Sequence, residues 1–227
     1  MARGVHRTPH PDATAAIARG LASVLRGGDA VELRGELGAG KTTFVRALAG
    51  AAGIDDRIVA SPTFVLVHVY PAPDGGPLAA LRGVRLVHVD AYRLAGADDL
   101  DALGWDQWFE ATGAVRDDAV ALIEWPERLP LRPAGAAVVR IEHAPRDGAE
   151  TRLLAIELPD AWLARPGVKD LLERPPAVCP TTRVWVAPTE PTYPFASARA
   201  RDADLYGWLT EKHTLPRPAK PEDEAAE

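Results

Sequence analysis

The stretch that most constrains this chain runs from Ala30 to Gly50, AVELRGELGAGKTTFVRALAG. Inside it, Gly35-Glu36-Leu37-Gly38-Ala39-Gly40-Lys41-Thr42 is an unbroken G-x-x-x-x-G-K-T pattern, with Thr43 directly after it. Ala30, Val31 and Leu33 ahead of the pattern read as a buried strand that meets a turn at once. Phe44, Val45, Leu48 and Ala49 behind it fall on one face of an amphipathic helix. Strand, glycine loop and helix, in that order, are the context in which this pattern cradles phosphate. The residue types follow from the chemistry. Several backbone N–H groups have to converge on phosphate oxygens where a helix begins. A Cβ at Gly35, Gly38 or Gly40 would obstruct that approach or the φ > 0 turns it needs. Lys41 then sets an ammonium against the outer phosphates, and the Thr42 hydroxyl is placed to ligate Mg²⁺.

Composition sets the bounds around this loop. The chain has 227 residues, 47% hydrophobic and 26% charged, which suits one ordinary α/β domain with some surplus. A formal net charge of −6 argues against autonomous binding to nucleic acid, which leaves a basic footprint. RNA reached through a basic partner stays open. The lone cysteine, Cys179, permits no internal disulfide and fits a reducing compartment. No apolar run approaches membrane-spanning length, and the N-terminus lacks the apolar stretch of a signal peptide. A soluble, cytoplasmic protein that does not engage a membrane is expected.

Along the chain, Met1 to Pro11 is polar and reads as loose. Asp12 caps a helix over about Ala13 to Leu25, ended by Gly27 and Gly28. The helix after the glycine loop should stop near Gly53. Ser61-Pro62-Thr63 precedes a strand from Phe64 to Tyr70. On turn preferences alone Thr63 is a turn residue. Behind a phosphate-binding loop, a hydroxyl at this place can instead act as a switch on Mg²⁺ or the terminal phosphate. Asp74-Gly75-Gly76 marks a hairpin tip and Val84 to Asp90 the returning strand, so the sheet contains an antiparallel pair.

Two strands end in acids. The first closes on His88-Val89-Asp90, the second, Ala119 to Glu124, on Ile123-Glu124. A carboxylate at the C-terminal end of a strand lies where open α/β sheets bind ligands. Asp90 can position a water or hold Mg²⁺ through one. His88 shares the face of Asp90, and an ordinary interior histidine is the simpler reading of it. Glu124 ends the more hydrophobic strand. Beside the glycine loop it would face the Mg²⁺ held by Thr42, although Asp is the usual residue there; on the pattern alone, a strand-end Glu capping a loop is the default reading. Tyr92 and Arg93 read as packing and ion-pairing residues. Asp98 to Phe109 reads as one or two short helices whose aromatic residues belong in the core, a partner surface being the other reading. Ala136 to His143 and Thr151 to Leu158 alternate around Pro145 to Gly148 and read as a hairpin closing the sheet.

In order and spacing, GELGAGKTT, SPTF, HVDAYRL, LGWDQWFE and IEWPERL resemble the TsaE (YjeE) family of bacterial ATPases, over about residues 9 to 165. The P-loop is shared by very many proteins; HxDxYR together with EWPE and the SPT segment is much more specific. The resemblance implies a P-loop NTPase-like, three-layer α/β fold with a mixed, partly antiparallel central sheet. It implies ATP and Mg²⁺, and a role in forming N6-threonylcarbamoyladenosine at position 37 of tRNA. It further implies ATP hydrolysis dependent on the partners TsaB and TsaD, with tRNA met only through that complex. Carried over by position, Gly35, Glu36, Leu37, Gly38, Ala39, Gly40, Lys41, Thr42 and Thr43 hold the nucleotide, Lys41 also serving catalysis. Thr42 and Glu124 serve Mg²⁺, Asp90 is the essential acid near the γ-phosphate, and Thr63 is the switch hydroxyl. Trp125 lies beside the nucleotide, and Pro11 to Thr14 near the adenine. Read from the strand itself, Arg152 can approach the nucleotide, but a solvated strand arginine is the simpler reading. The family usually has Tyr where Phe64 stands, which leaves open a polar role for that position.

The ATPase domain is expected over residues 1–165. Residues 166–227 read as a Pro-rich extension, acidic at its end, partly disordered or docked on the domain or on a partner. Trp185, Tyr193, Phe195, Tyr206 and Trp208 make it less polar than a plain tail. Two other functions remain open. A small-molecule kinase would use the same loop but need an acceptor pocket and an arginine-bearing lid. A non-catalytic assembly factor would use ATP only to order a partner-binding surface.

Overall fold

The structure, a computed structural model, describes residues 1–62, 66–94 and 104–210. Thr63, Phe64, most of the expected helical stretch before Trp105 and the acidic C-terminal run lie outside the described residues. In chain order the elements are β1 (Ala2–Thr8), α1 (Pro11–Val24), β2 (Ala30–Arg34), α2 (Lys41–Ala51), β3 (Val67–Pro71), β4 (Arg85–Asp90), α3 (Trp105–Trp108) and β5 (Ala119–Glu124). There follow β6 (Ala137–His143), β7 (Arg152–Leu158), α4 (Val168–Glu173), β8 (Ala177–Val178), β9 (Trp185–Val186) and α5 (Ala198–Leu209).

One seven-stranded sheet carries the fold, in the order β1-β7-β6-β2-β5-β4-β3. Its middle, β6-β2-β5-β4, is parallel. Its edges are antiparallel: β3 on β4, β7 on β6, and β1 on β7. The mixed sheet expected from the Asp74-Gly75-Gly76 turn is therefore present. Every residue of β5 is buried, as a central parallel strand covered on both faces demands. On one face, Ile17 and Leu21 of α1 and Phe44 and Leu48 of α2 pack on Leu33, Leu122, Ile141 and Leu154. On the other, Val87, Val89, Ala121 and Ile123 lie under Phe109 and Leu129. Trp105 stacks on Phe109, with centroids 3.6 Å apart, in the core role expected of these aromatics.

Three local expectations are corrected. The N-terminal segment is not loose: Ala2–Thr8 forms the edge strand β1, so the β6–β7 hairpin does not close the sheet. Hydropathy hides this strand, because its buried positions are Gly4, His6 and Thr8, while Val5 is 53% exposed. The helix α1 is capped by His10, whose Nδ1 accepts from the Asp12 amide at 3.2 Å. Pro11 starts the helix, lacking only an N–H that would have gone unpaired, and this moves the cap ahead of Asp12. Finally, β3 begins at Val67, and Leu66 just ahead of it takes a φ of 68°, outside the extended region.

The C-terminal residues pack as well. Trp162, Val168 and Leu171 belong to the main core on the α1 side of the sheet. Cys179, Val186 and Ala200 form a separate small cluster with Tyr193, Phe195 and Ala196. The small cluster is fastened to α1: Arg19 Nη2 donates to the Trp185 carbonyl at 2.9 Å, and Ser23 bonds Thr189 at 3.0 Å. Among the described residues no helix is long and apolar enough to cross a membrane.

Candidate nucleotide site

The site grows from the end of β2. Gly35 has a φ of 147°, and a Cβ there would stand 2.3 Å from the Ile141 carbonyl of the neighbouring strand. Only glycine lets the chain leave β2 so close to β6. Gly38 and Gly40, at φ 77° and 109°, shape the loop with open space where a side chain would stand. The loop and the first turn of α2 line a cleft, and a helix N-terminus attracts an anion.

Lys41 is only 5% exposed. Its Nζ donates to the carbonyls of Gly35 (2.8 Å) and Glu36 (2.9 Å) and lies 3.9 Å from the centre of the Trp125 ring. Burial pulls the ammonium below the usual lysine value, against the opposing pull of Glu124, Asp90 and Glu127. Trp125 itself sits at φ 58°, an uncommon place for a bulky residue, and its ring meets Tyr92 at 5.0 Å. The strained backbone turns the indole over the loop instead of along the strand.

The two acids stand side by side. In the parallel pairing of β4 with β5, Asp90 is in register with Glu124. Thr42 Oγ1 donates to Glu124 Oε1 at 2.7 Å, and His88 Nε2 lies 2.9 Å from the same oxygen. Asp90 is held differently: its Oδ1 accepts from the Tyr92 amide at 3.0 Å and its Oδ2 from Ser61 Oγ at 2.8 Å. Both acids are 3% exposed.

Two clefts converge on the glycine loop. One, of about 360 Å³, is lined by Leu37, Gly38, Gly40, Lys41, Thr42, Thr43, Ser61, Asp90, Tyr92, Glu124 and Trp125. The other, of about 140 Å³, is lined by Pro11, Thr14, Gly38, Ala39, Gly40, Thr43, Glu150 and Arg152. Pro11, Thr14 and Arg152 thus meet the loop on the side away from the acids, although the Thr14 hydroxyl is engaged by Thr8 at 2.7 Å. Arg152 is no solvated strand residue: its Nε donates to the Ala39 carbonyl at 3.0 Å and braces the loop. Ser61, Tyr92 and His88 join the site without having been singled out for it. Ser61 sits in the same SPT segment that drew attention to Thr63, and Tyr92 and His88 lie in the run around Asp90.

A cation here would have oxygen donors from Thr42 and Glu124. Among the described residues no group of three or more His, Cys, Asp or Glu could cage a metal. Hydroxyl and carboxylate oxygens are the hard donors that Mg²⁺ takes, one or two from protein and the rest from water and phosphate.

A sequence model of the family described as "Threonylcarbamoyl adenosine biosynthesis protein TsaE" matches residues 8–153, from the end of β1 to the start of β7. The chain belongs to the TsaE family. A TsaE relative, the tRNA threonylcarbamoyladenosine biosynthesis protein of Streptomyces coelicolor, is 44% identical over 112 residues, covering 49% of this chain and 66% of that one. The Bacillus subtilis TsaE is 40% identical over 119 residues, 52% of this chain and 64% of the relative. The chain thus spans just under two thirds of the length of these two relatives. The Mycobacterium tuberculosis TsaE is 35% identical over 152 residues, covering 62% of this chain and 82% of that protein. The crystal structure of Bacillus subtilis YdiB superimposes with a TM-score of 0.50 at 28% identity, covering 71% of this chain and 89% of that one. The P-loop NTPase-like fold expected of a TsaE protein is the fold observed. Beyond the TsaE match, a second model, "DNA gyrase inhibitor YacG", matches residues 177–226, which include β8, β9 and α5.

Proposed function

We propose that this chain is a Mg²⁺-dependent ATPase that serves the formation of threonylcarbamoyladenosine in tRNA, with hydrolysis awaiting the partners TsaB and TsaD. The observation that carries the reading is the Thr42–Glu124 hydrogen bond at the mouth of the P-loop, with Asp90 in register beside it. The name that its relatives carry, tRNA threonylcarbamoyladenosine biosynthesis protein, supports the pathway.

In this reading the loop amides and Lys41 take the phosphates. Thr42 keeps its proton on Glu124, so the lone pairs of its hydroxyl are left for the cation. Mg²⁺, when bound, would neutralise charge on the outer phosphates. Asp90, tied to the backbone by the Tyr92 amide and to Ser61, is assigned to the attacking water or the γ-phosphate. Thr63 is the proposed switch hydroxyl. Pro11 and Thr14 border the base, Arg152 fixes the loop, and Trp125 covers it. RNA is reached through the partner complex, and the cytoplasm is the proposed compartment. ATP turnover by the purified chain, alone and with TsaB and TsaD, tests the reading: partner-dependent release of phosphate supports it, and its absence with both partners present contradicts it.

A second reading concerns residues 177–226 alone. Their match to the YacG model supports a gyrase-directed role for this segment. Slower supercoiling by gyrase in the presence of the full chain is expected. An unchanged rate under a large excess of the chain contradicts it.

A further inference from the structure

We infer that His88 is a positioning residue: it holds Glu124 against Thr42 and thereby sets how tightly the site takes Mg²⁺. The inference rests on the nucleotide reading above and deepens it.

The topology makes the contact. His88 pairs in register with Leu122, one step behind Asp90 and Glu124 on the same face of two parallel strands. From there the ring reaches diagonally to Glu124, Nε2 to Oε1 at 2.9 Å. The carboxylate acceptor dictates that Nε2 carries the proton. Two donors from different elements, Thr42 at the start of α2 and His88 in β4, then meet one oxygen. One donor alone would leave the carboxylate free to turn about its last bond; two fix its plane.

The ring is otherwise a poor choice for its place. It is fully buried, with Leu86 and Leu122 among its strand neighbours, and Nδ1 has no hydrogen-bond partner among the described residues. A leucine would fill an apolar layer without stranding a nitrogen. The only polar contact His88 makes among the described residues is with Glu124, so its chemistry is directed at the site and not at the fold. A histidine that orients the group next to a metal ligand is an outer-shell partner, whose removal commonly weakens metal binding.

The test is ATP affinity measured by calorimetry across a Mg²⁺ titration and in EDTA, with melting curves, for the wild type, His88→Leu and His88→Gln. Expected is a His88→Leu protein that melts cooperatively and binds ATP in EDTA within about twofold of wild type, yet needs about 10- to 100-fold more Mg²⁺ for half-saturation. Gln, whose amide can donate to Glu124, recovers most of that loss. An unchanged Mg²⁺ requirement in His88→Leu overturns the inference, as does a Gln variant no better than Leu. If His88→Leu does not fold, His88→Asn, whose amide stops short of Glu124, takes its place. Asn is then expected to need more Mg²⁺ than Gln, and equal requirements overturn the inference. A wild type whose ATP binding ignores Mg²⁺ removes the nucleotide reading itself and this inference with it. A Mg²⁺-dependent wild type with an indifferent His88→Leu removes the inference alone.

Discussion

Thr42 and Glu124, 82 residues apart in the chain, share a 2.7 Å hydrogen bond that ties the first turn of α2 to the end of β5. The bond exists because β2 and β5 are parallel neighbours, so the loop leaving one and the acid ending the other arrive at the same sheet edge. Asp90 arrives there too, from β4, but its oxygens go to Tyr92 and Ser61. Two carboxylates beside a triphosphate would repel it unless a cation lies between them, so their tasks are expected to divide.

Their substitutions should therefore separate. Glu124→Ala is expected to lose the Mg²⁺ dependence of ATP binding, because Thr42 loses its acceptor. Asp90→Ala is expected to bind ATP with Mg²⁺ nearly as the wild type does and to fail in turnover, as befits a group acting mainly in the transition state. Asp90→Ala should also cost about 1 kcal/mol of stability, since Asp90 caps the turn that follows β4. Affinities with and without Mg²⁺, set beside turnover with partners, check this. The opposite pattern would exchange the two roles.

Lys41→Ala should abolish productive nucleotide binding. Its ammonium gives up hydrogen bonds to two carbonyls of its own loop, but burial already disfavours the charge, so folding should change by no more than about 1 kcal/mol. Calorimetry with Mg²⁺–ATP and a melting curve read the two effects separately. Wild-type affinity in this variant would remove Lys41 from the phosphate site.

The sequence made the P-loop, α2 and β5 legible because each is a local pattern: spaced glycines, a helical apolar face, and an unbroken apolar run ending in an acid. β1 was hidden because its buried side chains are small or polar, and its one large apolar residue, Val5, faces outward. The contact of Arg152 with Ala39 and the contact of His88 with Glu124 were beyond reach for another reason. Each depends on strand order and register, which join residues far apart in the chain. Alternation along one strand can tell which residues share a face, but not which strand lies next to it.

β1 supplies a test of that hidden register. A Cβ on Gly4 would stand 2.5 Å from the carbonyl oxygen of Leu172, backbone that cannot swing aside. Gly4→Ala is expected to destabilise the fold by about 1–3 kcal/mol as β1 and α4 are forced apart. Chemical denaturation measures this, and an unchanged midpoint would contradict the packing of β1 against α4.

Cys179 anchors the small C-terminal cluster, its Sγ accepting from the amides of Thr182 and Ala196, both at 3.4 Å. Burial raises its pKa, but hydrogen bonds from the Thr182 side chain and from the backbone of Thr182, Ala196 and Thr181 outweigh burial and bring it down from 9.0 to about 7. A thiol with a lowered folded-state pKa adds stability above its unfolded value and loses it as pH falls through the folded one. Stability should therefore climb between about pH 7 and pH 9 in the wild type. That rise should vanish in Cys179→Ala, which also strands two amides at a cost of about 1–3 kcal/mol. Melting temperatures of both proteins across this range check the prediction; parallel curves would contradict it.

The most direct measurement of the central claim is phosphate release from ATP by the purified chain in Mg²⁺, alone and with TsaB and TsaD, for the wild type and Asp90→Ala. The account predicts turnover that appears with the partners, requires Mg²⁺ and is lost in Asp90→Ala although that variant still binds ATP. Turnover that survives Asp90→Ala undiminished, or a wild type that binds ATP but never hydrolyses it with both partners present, would contradict it.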